Sequence, residues 1–166
     1  MGSDLLANVK FVPDFRDPNN NNEYSCSDSH LTAASVNYQS DYPSIIVCPY
    51  GFGFGAIGGD GTGAPAVTCE TVYVTPRVSW RMETLGQIVL HEYTHMRLIM
   101  SPIIRNPFGL DHTIDIAYGF FNVRYIDRWQ ARQNADSYAT MASEMWWKLT
   151  CEGRLGPLGE PGFRDN

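Results

Sequence analysis

The chain has 166 residues, 43% of them apolar and 13% aromatic, with 12 basic against 18 acidic side chains and a net charge of −6. That length fits one domain, residues 1–166, with a real core, and leaves little room for two. An acidic chain without a basic run is a poor match for a phosphate backbone, and no apolar run reaches the length of a membrane span, so neither nucleic acid nor a membrane is an expected partner.

No signal-peptide pattern opens the chain, and "MGSD" reads as a start added for expression, which leaves room for a removed leader or pro-segment. Residues 1–25 are expected to be partly loop, with "DFRDPNNNNE" (14–23) a polar turn. "SIIVC" (44–48) reads as a short buried strand, and "ETVYVTP" (70–76) alternates as a strand would until Pro76. Between them, residues 49–68 form a glycine-rich loop bracketed by Cys48 and Cys69. It holds a literal G-x-G-x-x-G match at Gly53, Gly55 and Gly58, but the "GDGTGAP" that follows cannot open the helix a dinucleotide site needs. A plain loop is the better reading.

From Ser79 to Met100 the spacing predicts a helix, with Met82, Leu85, Ile88 or Val89, Glu92 and His95 recurring at steps of three and four. Pro102 then marks its end, and "IIRNPFGL" (103–110) reads as a loop. A last helix is predicted from near Asn134 to Leu149, its buried side formed by Ala135, Tyr138, Ala142, Met145, Trp146 and Leu149. The fold class that follows is α+β, dominated by helices, with a small sheet. Four cysteines, Cys26, Cys48, Cys69 and Cys151, contain no C-x-x-C pair, so two disulfides in an oxidising compartment are expected.

The predicted central helix carries His91-Glu92-Tyr93-Thr94-His95, an H-E-x-x-H match. Residues four apart on a helix lie one turn above each other, so both imidazoles can reach one metal ion, while Glu92 points about 100° away from His91. That pattern suits zinc, with the glutamate taking a proton from water. The apolar flanks place the histidines on a buried helix, where a His-Glu-His cluster without a metal is hard to satisfy. A third histidine six residues after the second is missing, since position 101 is Ser. Glu144 is a candidate third ligand on the last helix, though no Asn-Glu pair accompanies it. Asp111, His112 and Asp115 are the remaining donors.

"HTIDIAYG" (112–119) resembles the signature of the aspzincins, the deuterolysin-like and lysine-specific fungal zinc metalloendopeptidases, in which HExxH is followed by G-T-x-D-x-x-Y-G. Thr113, Asp115, Tyr118 and Gly119 match, His112 stands where the first glycine would be, and "NADSY" (134–138) resembles a further segment of the same family. The resemblance covers roughly residues 86–151. It implies a zincin-like domain around the HExxH helix, with Zn2+ held by His91, His95 and Asp115, Glu92 as general base, and Tyr118, one helical turn from Asp115, as donor to the oxyanion. It implies that Asp136 lies beside the pocket for the residue after the cut and favours a basic side chain, the alternative being that Asp136 caps or braces the last helix. Ala139 stands where strictly lysine-specific members carry Glu, so a softened preference is expected.

His95 and Asp115 are twenty residues apart, more than the family's usual gap, which makes 96–111 an insertion that brings Arg105, Phe108 and Leu110 near the groove. His112 is a potential fourth ligand that would close the site. "IIVCPYGF" also resembles the family, and the pairing favoured on that basis is Cys48–Cys69 and Cys26–Cys151, out of three connectivities. The function implied is a secreted, extracellular, monomeric zinc endopeptidase acting on a peptide or protein substrate. The rival is a non-catalytic secreted zinc-binding protein, an effector or allergen-like antigen, on the same scaffold. A narrow processing enzyme with one partner protein is a third reading, which the insertion would suit.

Overall fold

Ser44–Val47 (β3) carries four buried residues in a row, which a strand flanked on both sides can satisfy. In the computed structural model, which describes residues 10–13, 26, 32–37, 44–54, 67–72, 82–100 and 111–151, β3 is the central strand of a three-stranded sheet. Lys10–Pro13 (β1) pairs with it in parallel, Lys10 opposite Ser44, and Ala34–Asn37 (β2) pairs antiparallel, Ala34 opposite Val47. Pro13 is tolerated because, among the described residues, β1 is an edge strand. A 3-10 turn at Gly51–Gly53 follows β3. A Cβ on Gly51 would stand 2.2 Å from the Ala33 carbonyl oxygen, so only glycine allows this turn to close on the start of β2.

The helices are Cys69–Val72 (α1), Leu85–Thr94 (α2), Arg97–Met100 (α3), Gly119–Asn122 (α4), Arg128–Gln133 (α5) and Ala135–Thr150 (α6). Helix therefore dominates the described residues. Helix α2 lies between the sheet and α6. Leu85, Ile88, Val89 and Tyr93 pack with Ala34, Val36, Ile45, Val47 and Met96 on the sheet side. A second core gathers Val67, Val72, Met82, Phe120, Trp147 and Cys151, and the Trp147 indole N–H donates to the Met82 carbonyl at 3.2 Å.

Several expectations are corrected. Residues 70–72 of the expected "ETVYVTP" strand are helical, within Cys69–Val72, because Val72 is drawn into the Trp147 cluster; Tyr73–Pro76 lie outside the described residues. The central helix starts at Leu85, where the Thr84 hydroxyl accepts from the Gln87 amide at 3.2 Å. It stops at Thr94, whose carbonyl accepts from the Thr113 amide, and the expected 96–111 loop opens with the short helix α3. The polar turn at 14–23, most of the glycine-rich loop (55–66) and residues 101–110, with Arg105, Phe108 and Leu110, lie outside the described residues.

The last helix forms nearly where expected, but its buried stripe is Ala135, Asp136, Ala139, Thr140 and Trp147. Met145 is 49% exposed, Trp146 50% and Leu149 72%. Hydropathy chose the larger apolar side chains, whereas Asp136 must face His91 and fixes the helix rotation.

The disulfides are Cys26–Cys48 and Cys69–Cys151, not the expected Cys48–Cys69 and Cys26–Cys151. Each staples its own neighbourhood: Cys48 closes β3, whereas Cys69 and Cys151 meet in the Trp147 cluster. The Cys69–Cys151 bridge spans 82 residues and Cys26–Cys48 spans 22. Loop-closure entropy then gives about 4.5 kcal/mol for the first and about 3.4 kcal/mol for the second. Urea unfolding of the Cys69→Ser/Cys151→Ser double variant is therefore expected to show the larger loss, and equal losses would count against that assignment.

Candidate active site

Helix α2 turns its apolar face to the sheet and its polar face, Gln87, His91, Glu92, Thr94 and His95, inward, and all five are buried. His91 and Glu92 lie in the last turn, and His95 is the C-cap residue. The segment 113–118 runs across this face, and α6 closes it from behind.

Three donor atoms converge. His91 Nε2 and His95 Nε2 are 3.1 Å apart, and Asp115 Oδ1 lies 3.1 Å from the first and 3.2 Å from the second. Tetrahedral ligands at bond lengths of about 2.0–2.1 Å would be separated by about 3.3–3.4 Å, close to this triangle. Among the described residues these three form the group able to hold a metal ion. The far side of each ring is already committed. His91 Nδ1 bonds Asp136 Oδ1 at 2.8 Å, and His95 Nδ1 donates to the Thr113 carbonyl at 2.9 Å. Such partners fix ring orientation and tautomer, leaving both Nε2 atoms for a metal. Thr94 and Thr113 hydroxyls join at 2.8 Å and lock the crossing segment to the helix.

Asn134, fully buried, accepts from the amides of Ile116 and Ala117 at 2.9 and 3.0 Å, and this shapes the turn that presents Asp115. Asp115 and Tyr118 are therefore not joined by the expected helical turn; Tyr118 sits in extended backbone as the N-cap residue of α4. Its ring still stacks on His91, with centroids 5.8 Å apart at 17°, and its hydroxyl bonds Asp115. Gly119 has φ +77, a conformation glycine adopts at no steric cost, and its amide donates to Asp136 Oδ2. Both Asp136 oxygens thus have partners inside the protein, on His91 and on the Gly119 amide.

The electrostatics follow from this packing. Burial opposes protonation of His91, but its bonds to Asp115 and Asp136 and the charge of Glu92 outweigh it and push the imidazole up to about 10. His95 is raised in the same way by Asp115 and the Thr113 carbonyl. Burial would lift Asp115, yet its bonds from His91, His95 and Tyr118 hold it well below the usual carboxylate range. Burial raises the Glu92 carboxyl against the pull of both histidines.

Two other candidate ligands lie apart from the triangle. Glu144 pairs with Arg124 at 2.6 Å, and His112 Nδ1 contacts Asp111 Oδ1 at 2.9 Å. His112 does line the cavity in front of the triangle, a space of about 750 Å³ that also meets Glu92, Tyr118, Tyr50 and Phe54.

Sequence reasoning passed over Glu83 and Gln87, which line the same cavity. Burial, and then the charge of Asp136, push the Glu83 carboxyl up to about 7. The folded protein therefore binds this proton more tightly than the unfolded chain, and stability falls as pH rises through the interval between the two values. Glu83→Gln is expected to leave the melting temperature unchanged at about pH 4 and to raise it by a few degrees at about pH 8. A calorimetric scan at both values checks the sign.

No family model matches the chain, and no solved structure matches it. Two curated relatives do, both from Coccidioides posadasii (strain C735): "Neutral protease 2 homolog MEP6", 33% identical over 60 residues, and "Neutral protease 2 homolog MEP5", 35% identical over 60 residues. Each match spans 36% of this chain and 14% of the relative. The chain is thus weakly and partially similar to fungal neutral protease 2 homologs.

Proposed function

We propose that the protein is a secreted zinc endopeptidase of the aspzincin type, with a zincin-like domain built around the helix Leu85–Thr94. The observation that carries this reading is the His91–His95–Asp115 triangle, with edges of 3.1 to 3.2 Å and the far side of each histidine ring pinned. Its donor set, two imidazoles and a carboxylate, suits zinc, and all three residues line the cavity. The similarity to proteins named neutral protease and the two disulfides, which fit an oxidising compartment, support the same reading.

His91, His95 and Asp115 would hold the ion, which supplies Lewis acidity that makes water a nucleophile near neutral pH. Glu92 lines the cavity beside the triangle and receives the proton of the attacking water, then returns it to the leaving amine. Tyr118, its hydroxyl already directed at Asp115, donates to the oxygen that gains charge as the peptide carbonyl is attacked. Asp136 is a positioning residue for His91. Among the described residues strand β2 is a sheet edge, and its residues 34–36 border the cavity, so an extended peptide can lie along it as an added strand. A basic residue after the cut bond is the preferred substrate feature.

A mixed peptide library incubated with zinc-loaded and with chelator-stripped protein, read by mass spectrometry, tests the reading. Cleavage in the first alone is expected. Bound zinc without cleavage would point to a binding role on the same scaffold. Asp136→Ala is expected to weaken zinc binding roughly 10–100-fold, with Asp136→Asn recovering part of it. Zinc affinity measured against a competing chelator checks this, and unchanged affinity would remove Asp136 from the metal's support.

A further inference from the structure

One wall of the cavity offers acceptors without donors. Gln87 is 8% exposed and its Oε1 has no hydrogen-bond partner among the described residues, although its backbone amide is held by the Thr84 hydroxyl. A buried acceptor left unpaired is costly, and native proteins rarely keep one without a reason. Glu83, half-buried, borders the same cavity, with Oε1 3.9 Å from where a Cβ on Gly119 would stand. Among the described residues it has no cation or donor beside it, and the nearest charge acting on it is the like charge of Asp136. Asp136 itself is taken by His91 and Gly119. The two open acceptors are therefore Glu83 and Gln87.

We infer that Glu83 and Gln87 form the subsite that selects the substrate's side chain, and that the side chain it takes is cationic and rich in N–H donors, a lysine ammonium or an arginine guanidinium. A cation between them would satisfy the orphaned Gln87 oxygen and neutralise the Glu83 carboxylate together, which neither an apolar nor an acidic side chain can do. The position suits a residue next to the cut bond, since Gln87 precedes His91 by four residues, about 6 Å along the helix axis. The inference rests on the peptidase reading for the identity of the ligand as a peptide, and it moves the selection away from Asp136.

Binding can be measured without turnover, on zinc-loaded protein carrying Glu92→Gln. The probes are hexapeptides with lysine, or its uncharged counterpart norleucine, on either side of the central bond, followed by isothermal calorimetry. The lysine peptide is expected to bind at least about tenfold tighter than the norleucine peptide, a preference lost to within about twofold on adding Glu83→Gln. Gln87→Leu is expected to weaken the lysine peptide several-fold and leave norleucine binding unchanged, which also shows that each variant is folded. Equal binding of the two peptides, no binding of either, or a lysine preference that survives Glu83→Gln would overturn the inference. Failure of the peptidase reading is seen separately, as absence of cleavage of the same peptides by the zinc-loaded parent protein.

Discussion

Glu92→Gln is expected to reduce the turnover of peptide cleavage on the order of 10²–10⁴-fold while the protein still binds one zinc ion per chain. Glutamine keeps the volume of the side chain and its place on the inward face of α2, where Glu92 is 7% exposed and borders the cavity. It cannot accept a proton. Glu92 stands outside the three-donor triangle, so the metal has no reason to leave. Burial already lifts its carboxyl against the attraction of His91 and His95, as suits a group that must hold a proton during the reaction. Turnover on a fluorogenic peptide, with zinc counted by atomic absorption, separates the two effects. Loss of zinc together with activity would mean that Glu92 is a ligand.

Asp115→Ala should do the reverse and remove the metal itself. Asp115 Oδ1 supplies two of the three edges of the triangle, and the Asp115 carboxylate faces the Tyr118 hydroxyl. Partners outside the ligand shell are worth about 10–100-fold in affinity, so loss of a direct ligand is expected to exceed about 100-fold, with cleavage lost in step. His112→Ala is the matched control. His112 borders the cavity, but its Nδ1 engages Asp111 and it is absent from the triangle, so zinc affinity is expected to stay the same. Should His112→Ala lose the zinc and Asp115→Ala keep it, the third ligand would be His112.

The local signals in the sequence led to the elements that short-range forces decide. A run of apolar residues at 44–47 is a buried strand, and the 3.6-residue period around His91 and from 135 to 150 is helix. What escaped depends on distant partners. The β-branched pattern at 70–72 reads as strand, yet Cys69 is tied to Cys151 and Val72 is buried against the Trp147 cluster, which together favour a helical turn. The end of α2 is set by Thr113, nineteen residues beyond Thr94. The face that α6 buries is chosen by Asp136 and His91 and not by its largest apolar side chains. The turn that presents Asp115 depends on Asn134, whose role within "NADSY" has no periodic signature. Glu83, just ahead of α2, and Gln87, in its first turn, look like ordinary polar residues until the cavity beside them is seen.

Zinc titrated into metal-free protein, with peptide cleavage followed at each addition, separates a zinc peptidase from a protein that only binds zinc. Activity is expected to rise in proportion to added zinc and to level off at about one equivalent, as a single three-ligand site requires. The Glu92→Gln variant should take up zinc along the same curve with almost no cleavage at any point. One equivalent of tightly bound zinc with no cleavage in the parent protein would contradict the account and leave the triangle as a binding site without a reaction.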